Sequence, residues 1–186
     1  MNITKTPIDG VYVVETTPFS DQRGSFARLF CTDELALILG NRKIQQINHS
    51  YTATAGTVRG MHLQNKPYAE MKLVRCIKGK IWDVAVDLRK DSPTYKQWHG
   101  AELSPENKLM LVIPEGCAHG FQAIEDNTEI LYLHTEMYNK SHETGINPVD
   151  PTASIKWPMK VCNLSERDKN LPFIKTTIPD GKYNEM

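Results

Sequence analysis

Apolar positions along this chain recur mostly with a period of two. In Ile81-Trp82-Asp83-Val84-Ala85-Val86-Asp87-Leu88 the alternation sets Trp82, Val84, Val86 and Leu88 on one face and Asp83 and Asp87 on the other. The run follows a Lys78-Gly79-Lys80 turn and predicts a strand. Similar short runs at 11–14, 44–47, 57–64, 71–77, 109–113 and 129–135, separated by Gly, Pro, Asn and Asp, predict more. Many short strands make an all-β chain: a sandwich, barrel or jelly roll. One helix is expected over 33–39, where Leu35, Ile38 and Leu39 share a face, Thr32 stands to cap the start and Gly40 to end it. Pro151, Pro158 and Pro172 break regular structure, so the end of the chain should be irregular, partly helical and folded back over the barrel. Residues 174–186 read as a tail.

Composition narrows the function classes. With 186 residues, 40% of them hydrophobic, the chain fits one domain, 1–186. Such a domain buries roughly 70% of the surface its unfolded form exposes, without needing a metal or a disulfide. Its 22 Lys plus Arg balance 22 Asp plus Glu. It therefore lacks the basic excess that nucleic acid or an anionic membrane demands. No apolar run approaches the roughly 20 residues of a membrane-spanning helix, and the start lacks a secretory signal, so a cytoplasmic home is expected. Cys31, Cys76, Cys117 and Cys162 are scattered, with no Cys-x-x-Cys, and read as structural thiols.

Three segments carry candidate chemistry. In 57–64 the alternation puts His62 and Gln64 on one face and Arg59, Met61 and Leu63 on the other, while Gly60 allows a close approach. His62 is either a proton-transfer group facing a cavity or a buried, hydrogen-bonded core histidine. His119 lies in a Pro- and Gly-flanked stretch that reads as a tight turn feeding the next strand. In Ile130-Leu131-Tyr132-Leu133-His134, Tyr132 and His134 stand opposite Leu131 and Leu133, so a phenol points away from an apolar face, as a proton donor or as packing. Six histidines raise the question of metal, but no His-x-His or His-x-Asp/Glu pair marks these strands, and none is expected to be bound. Arg23, Arg59, Lys72, Arg75 and Arg167 are either phosphate ligands or solvated surface.

Seven motifs in order are 19–24 (Phe-Ser-Asp-Gln-Arg-Gly), Asn48-His49-Ser50, Val58-Arg59-Gly60-Met61-His62-Leu63-Gln64, Lys72-Leu73-Val74-Arg75, 83–89, 113–121 and Ser165-Glu166-Arg167-Asp168. Together, over roughly 7–173, the sequence resembles the dTDP-4-dehydrorhamnose 3,5-epimerase family. The resemblance implies a cupin-type double-stranded β-helix, or jelly roll, with a few short peripheral helices. It also implies a homodimer in which an N-terminal segment of one subunit completes the other's site, and no cofactor. Its implied substrate is a dTDP-linked 4-keto-6-deoxyhexose, inverted at C3 and C5 on the way to dTDP-L-rhamnose and cell-surface polysaccharide.

By the same resemblance His62 is the base, Asp168 its orienter, Lys72 the cation at the enolate oxygen and Tyr132 the acid on the opposite face. Arg23, Gln46, Asn48, Arg59, His119, Glu143 and Arg167 match positions that contact the nucleotide sugar, and Tyr138 the aromatic that stacks on the base. The sequence departs from the family's pattern at Arg28, where Glu is common, and at Ile47, where an acidic residue is common. Those departures leave open a CDP-linked hexulose or another nucleotide sugar. A single-centre 3- or 5-epimerase and a cupin-shaped binding protein without chemistry are the other readings.

Overall fold

The computed structural model describes residues 1–175, so all but the first two residues of the expected tail lie outside it. In chain order the strands are β1 (Asn2–Lys5), β2 (Tyr12–Glu15), β3 (Phe19–Asp21), β4 (Gly24–Phe26), β5 (Gln46–Thr52), β6 (Val58–Gln64) and β7 (Lys72–Lys78). They continue with β8 (Ile81–Asp87), β9 (Trp98–Leu103), β10 (Leu109–Ile113), β11 (Cys117–Ala123), β12 (Thr128–His134) and β13 (Glu143–Gly145). Two four-residue helices, α1 (Ala36–Leu39) and α2 (Glu166–Lys169), complete the elements. Six strands form one antiparallel sheet in the order β1-β2-β10-β7-β12-β5, and five form a second in the order β13-β6-β11-β8-β9. The hairpin β3-β4 stands apart. This is the all-β cupin-type jelly roll with short peripheral helices that the sequence led us to expect.

Alternation explains how the sheets stack. On β7, β10 and β12 the residues Val74, Cys76, Leu111, Ile113 and Ile130 point inward and meet Ile81, Ala85, Leu103, Cys117 and Phe121 of the other sheet, forming the inner core. Their outward neighbours Leu73, Met110, Val112 and Leu133 are covered by Leu35, Ile38 and Leu39 around α1. The outward face of the second sheet, including Val84, Val86 and Ala118, is covered by Ile146, Ala153, Ile155 and Trp157 of the C-terminal segment. That segment folds back as its prolines imply. Trp157 Nε1 donates to the Pro148 carbonyl at 2.8 Å, and the Cys162 strand edge bridges Thr57.

Some expectations shift. The helix begins at Ala36 rather than at Asp33, and Leu35, not a capping Thr32, is its first flanking residue, with no side-chain cap. Residues 32–35 form turns, in which the Leu35 amide donates to the Cys31 carbonyl at 3.1 Å. His119 is not in a turn: the turn ends at Gly116, where φ is 82°, and His119 sits inside β11. The strand expected at 44–47 runs instead from Gln46 to Thr52. It has little apolar pattern because one face is exposed and the other is polar. The Asp83 and Asp87 face of β8 points into the protein, with both residues fully buried.

Asp87 binds the turn that follows β8. It accepts hydrogen bonds from Arg89 Nε at 2.8 Å, Ser92 Oγ at 2.5 Å and Thr94 Oγ1 at 2.7 Å. Burial alone raises its pKa, but these donors outweigh it and hold it at about 2, against an ordinary 3.8. A carboxyl with a depressed folded-state pKa stabilises the fold above its unfolded pKa and loses that contribution as pH falls through the folded one. The Asp87→Asn variant should therefore be less stable than the parent by about 2 kcal/mol at neutral pH, with the gap closing between pH about 4 and about 2. Urea unfolding of both proteins across that range checks this; a gap independent of pH contradicts it.

Candidate active site

Toward one end of the space between the sheets the inward stripe turns polar. On β7 the inward positions run Cys76, Val74, Lys72, and on β12 they run Ile130, Tyr132, His134. The register pairs Ile130 with Cys76, Tyr132 with Val74 and His134 with Lys72. From the opposed sheet, β6 and β11 bring His62 and His119 as directly paired neighbours. A cavity of about 860 Å³ results, lined by Lys72, Tyr132, His134, His62 and His119 and by Asn48, Ser50, Arg59, Glu70, Tyr138, Glu143, Arg167 and Asp168.

A strict period of two puts Arg59 on the face opposite His62, and the structure overturns that expectation. Between the pairs Phe121 with Arg59 and His119 with His62, β11 advances two residues (119 to 121) while β6 advances three (59 to 62). The bulge inverts the alternation, so Arg59 and His62 both line the cavity. It depends on two glycines lying against each other. A Cβ on Gly60 would stand 2.5 Å from the Gly120 Cα and 2.9 Å from the His119 carbonyl oxygen.

His62 Nε2 lies 2.7 Å from Asp168 Oδ1. The carboxylate arrives on α2, whose N-cap Ser165 accepts the Asp168 amide at 3.0 Å, and its second oxygen accepts the Gly60 amide at 3.3 Å. Burial by itself raises the Asp168 pKa, but the His62 hydrogen bond and charge, the Gly60 amide and Arg167 outweigh it, holding the group below its ordinary range. With the Nε2 proton directed at this carboxylate, Nδ1 is left as the basic nitrogen. Arg167 Nη2 stands 3.0 Å from Nε2 and 3.4 Å from Nδ1. Since a guanidinium only donates, Nδ1 is the ring nitrogen that can accept from it, and its shorter bond runs to Glu143 Oε2, at 2.8 Å.

On the opposed wall the Tyr132 hydroxyl is 3.0 Å from Ser50 Oγ, and its ring lies 6.0 Å from that of His119 and 6.1 Å from that of His134. Burial pushes the phenol pKa up, more than the Ser50 bond lowers it, so Tyr132 is a protonated donor at neutral pH. Lys72 Nζ is 3.3 Å from the His62 carbonyl oxygen. His119 Nε2 is 2.7 Å from Asp83 Oδ1. Asp83 is wholly buried and its Oδ2 has no partner among the described residues; burial drives its pKa upward against the pull of His119 and Lys72.

Not every candidate reaches the cavity. Gln46 lies beside it, accepting the Tyr138 amide at 2.8 Å and so fixing the loop that carries that ring. Ile47 lines the cavity and is 61% exposed. Arg23 sits on the β3-β4 hairpin, paired with Asp21 at 2.6 Å, outside its own chain's cavity. Arg28 is also outside, in an ion pair with Glu34 at 2.7 Å beside a separate small hollow. Arg75 points outward from β7 and donates to Thr16 Oγ1 at 2.8 Å, so it is neither phosphate ligand nor solvated surface. Glu70, Asp83 and Ser50 escaped notice as site residues; only the alternation that set His134 beside Tyr132 carried a signal for their neighbourhood. Among the described residues no three His, Cys, Asp or Glu side chains are grouped to hold a metal ion.

Residues 5–176 match the model of a family described as dTDP-4-dehydrorhamnose 3,5-epimerase. A Shigella flexneri protein of that name is 45% identical over 172 residues, which cover 91% of this chain and 94% of the relative. A Bacillus anthracis dTDP-4-dehydrorhamnose 3,5-epimerase, crystallised with TDP and PPi bound, superposes with a TM-score of 0.89 at 38% identity, covering 93% of this chain and 99% of that one. A Legionella pneumophila dTDP-6-deoxy-D-glucose-3,5-epimerase, crystallised with dTDP-4-keto-L-rhamnose, gives 0.87 at 36% identity and covers 92% of each chain.

The bulge yields a direct test. In a Gly60→Ala variant two backbones must separate and the bond to Asp168 lengthens, so the fold should lose about 2 kcal/mol or more. Urea unfolding reads the loss, and an unchanged midpoint would show that the strands do not depend on this contact.

Proposed function

The chain belongs to the dTDP-4-dehydrorhamnose 3,5-epimerase family, a family of isomerases, and on that footing we propose that it inverts C3 and C5 of a dTDP-linked 4-keto-6-deoxyhexose, as in dTDP-L-rhamnose biosynthesis. One observation carries the reading. A single cavity holds a carboxylate-oriented imidazole and a protonated phenol on opposed sheets, with an ammonium on the strand next to the phenol's. Hydrogens at C3 and C5 are both adjacent to the C4 carbonyl, so loss of either gives an enolate with its charge on one oxygen. His62 Nδ1 takes the proton, and Asp168 stabilises the imidazolium that forms. Lys72 stabilises the enolate oxygen, and Tyr132 returns a proton to the opposite face. Every step moves a proton between a side chain and the sugar.

Binding follows from the same walls. Arg59 and Arg167 take the diphosphate, Asn48, His119 and Glu143 the sugar and its links, and Tyr138 stacks on the base, held by Gln46. The reading includes a homodimer in which the N-terminal segment of one copy, bearing Arg23, completes the site of the other. What supports it is that Arg23 stands on a hairpin whose Phe19 and Phe26 are 73% and 75% exposed. A cytoplasmic setting suits four cysteines that are all free.

In deuterated water with dTDP-4-keto-6-deoxyglucose, the NMR signals of the C3 and C5 protons should both decay, and His62→Ala should slow this by roughly 10²-fold or more. Exchange at one carbon alone marks a single-centre epimerase; none, from folded protein, removes the reading. Subunit sharing has its own test. Arg23→Ala and His62→Ala, each nearly inactive alone, should regain roughly a quarter of the parent activity when unfolded and refolded together, because half the dimers then hold one intact site. Absence of recovery assigns Arg23 no place in a partner's site.

A further inference from the structure

Glu70 has no role in the mechanism above, yet it is a buried carboxylate with both oxygens engaged. Oε1 lies 3.3 Å from Lys72 Nζ and Oε2 lies 2.8 Å from His134 Nδ1. On the far side of that imidazole, the Asn48 amide nitrogen faces Nε2 at 3.3 Å. An amide nitrogen only donates, so a His134 proton sits on Nδ1 and the ring donates to Glu70. Burial raises the Glu70 pKa, but His134 and Lys72 outweigh it and keep the group ionised. Among the described residues it is the one carboxylate in ion-pair contact with Lys72.

An ammonium on a flexible stem has three donors and no preferred direction of its own. Here it is tied on two sides, by a hydrogen bond to the His62 carbonyl oxygen and by the ion pair with Glu70 Oε1, both at 3.3 Å, and it lines the cavity. His134 holds the second carboxylate oxygen, which keeps Glu70 from turning both oxygens toward Lys72. We propose that Glu70 and His134 are positioning residues: the hydrogen bonds from Asn48 through His134 to Glu70, closed by the Glu70–Lys72 ion pair, hold the Lys72 ammonium in place with one donor directed at the enolate oxygen. This rests on the enolate reading above.

The experiment is a double-mutant cycle on the purified protein, with exchange at C3 and C5 and steady-state kcat and KM as readouts. Glu70→Gln keeps the shape and removes the charge; it should lower kcat roughly tenfold with KM changed less than about twofold, since the nucleotide provides most of the binding. Lys72→Met alone should cost roughly 10²-fold or more. If Glu70 acts through Lys72, adding Glu70→Gln to Lys72→Met should cost less than about twofold more. His134→Phe, which frees Oε2, should lower kcat in the same direction. Thermal unfolding of each variant confirms that it is folded. Unchanged kcat in Glu70→Gln overturns the inference, as does a tenfold loss that persists in the Lys72→Met background, the mark of a purely structural role. A parent protein with no exchange fails earlier, at the epimerase reading, and takes this inference with it.

Discussion

The central strands of both sheets are buried on both faces, and the location of the site follows from that constraint. α1 and its preceding turn seal the outer face of the six-stranded sheet, and the segment after β13 seals that of the five-stranded one. Each large apolar side chain so buried contributes roughly 1.5–3 kcal/mol. With three apolar layers in place, the inward stripe need not be apolar along its whole length. One part holds Ile81, Leu111 and Ile130, while the other is left to Lys72, His62, Tyr132 and His134. The same strands, read in the same inward direction, supply first the core and then the chemistry.

Burying that many polar groups is costly unless each is paired, and the solution recurs three times. His62 is paired with Asp168 at 2.7 Å, His119 with Asp83 at 2.7 Å and His134 with Glu70 at 2.8 Å. The pairs look alike but differ in their surroundings. Asp168 has the Gly60 amide and Arg167 as additional donors, Glu70 has Lys72, and both are held below their usual pKa. Asp83 has one bonded oxygen and full burial, and its pKa moves up. Two of the pairs are thus anchored by a fixed negative charge. The third has a single bonded oxygen, with Oδ2 of Asp83 left without a partner among the described residues.

Strands β2, β7, β8, β10 and β12 were legible in the sequence because alternation is a local signal: Tyr132 and His134 point one way and Leu131 and Leu133 the other, as their spacing says, whereas β1, β3, β4, β9, β11 and β13 were not read. Long-range pairing is not local. Nothing near His62 announces Asp168, 106 positions away, and only the ordered motifs pointed to it. The bulge at Gly60 escaped because a period of two has no term for an extra residue; it moved Arg59 to the cavity face. β5 was shortened because its inner side is polar, lining the cavity with Asn48 and Ser50. Pattern reading was weakest where the strands serve the site, since there the residues are chosen for chemistry and not for burial.

Neutrality of the whole chain is no obstacle to an anionic ligand, because charge is unevenly committed. The acids of the cavity are taken: Asp168 and Glu70 by histidines and cations, and Glu143 by Arg167 and by the Tyr138 hydroxyl at 3.0 Å. Arg59 is different. It donates to Thr52 Oγ1 and the Tyr51 carbonyl oxygen, both at 3.2 Å, and has no carboxylate partner among the described residues. Its charge is therefore exposed and uncompensated at the mouth, where a diphosphate gains most from it. Arg167, in contrast, stands 3.0 Å from His62 Nε2 with its charge committed to Glu143 at 2.8 Å.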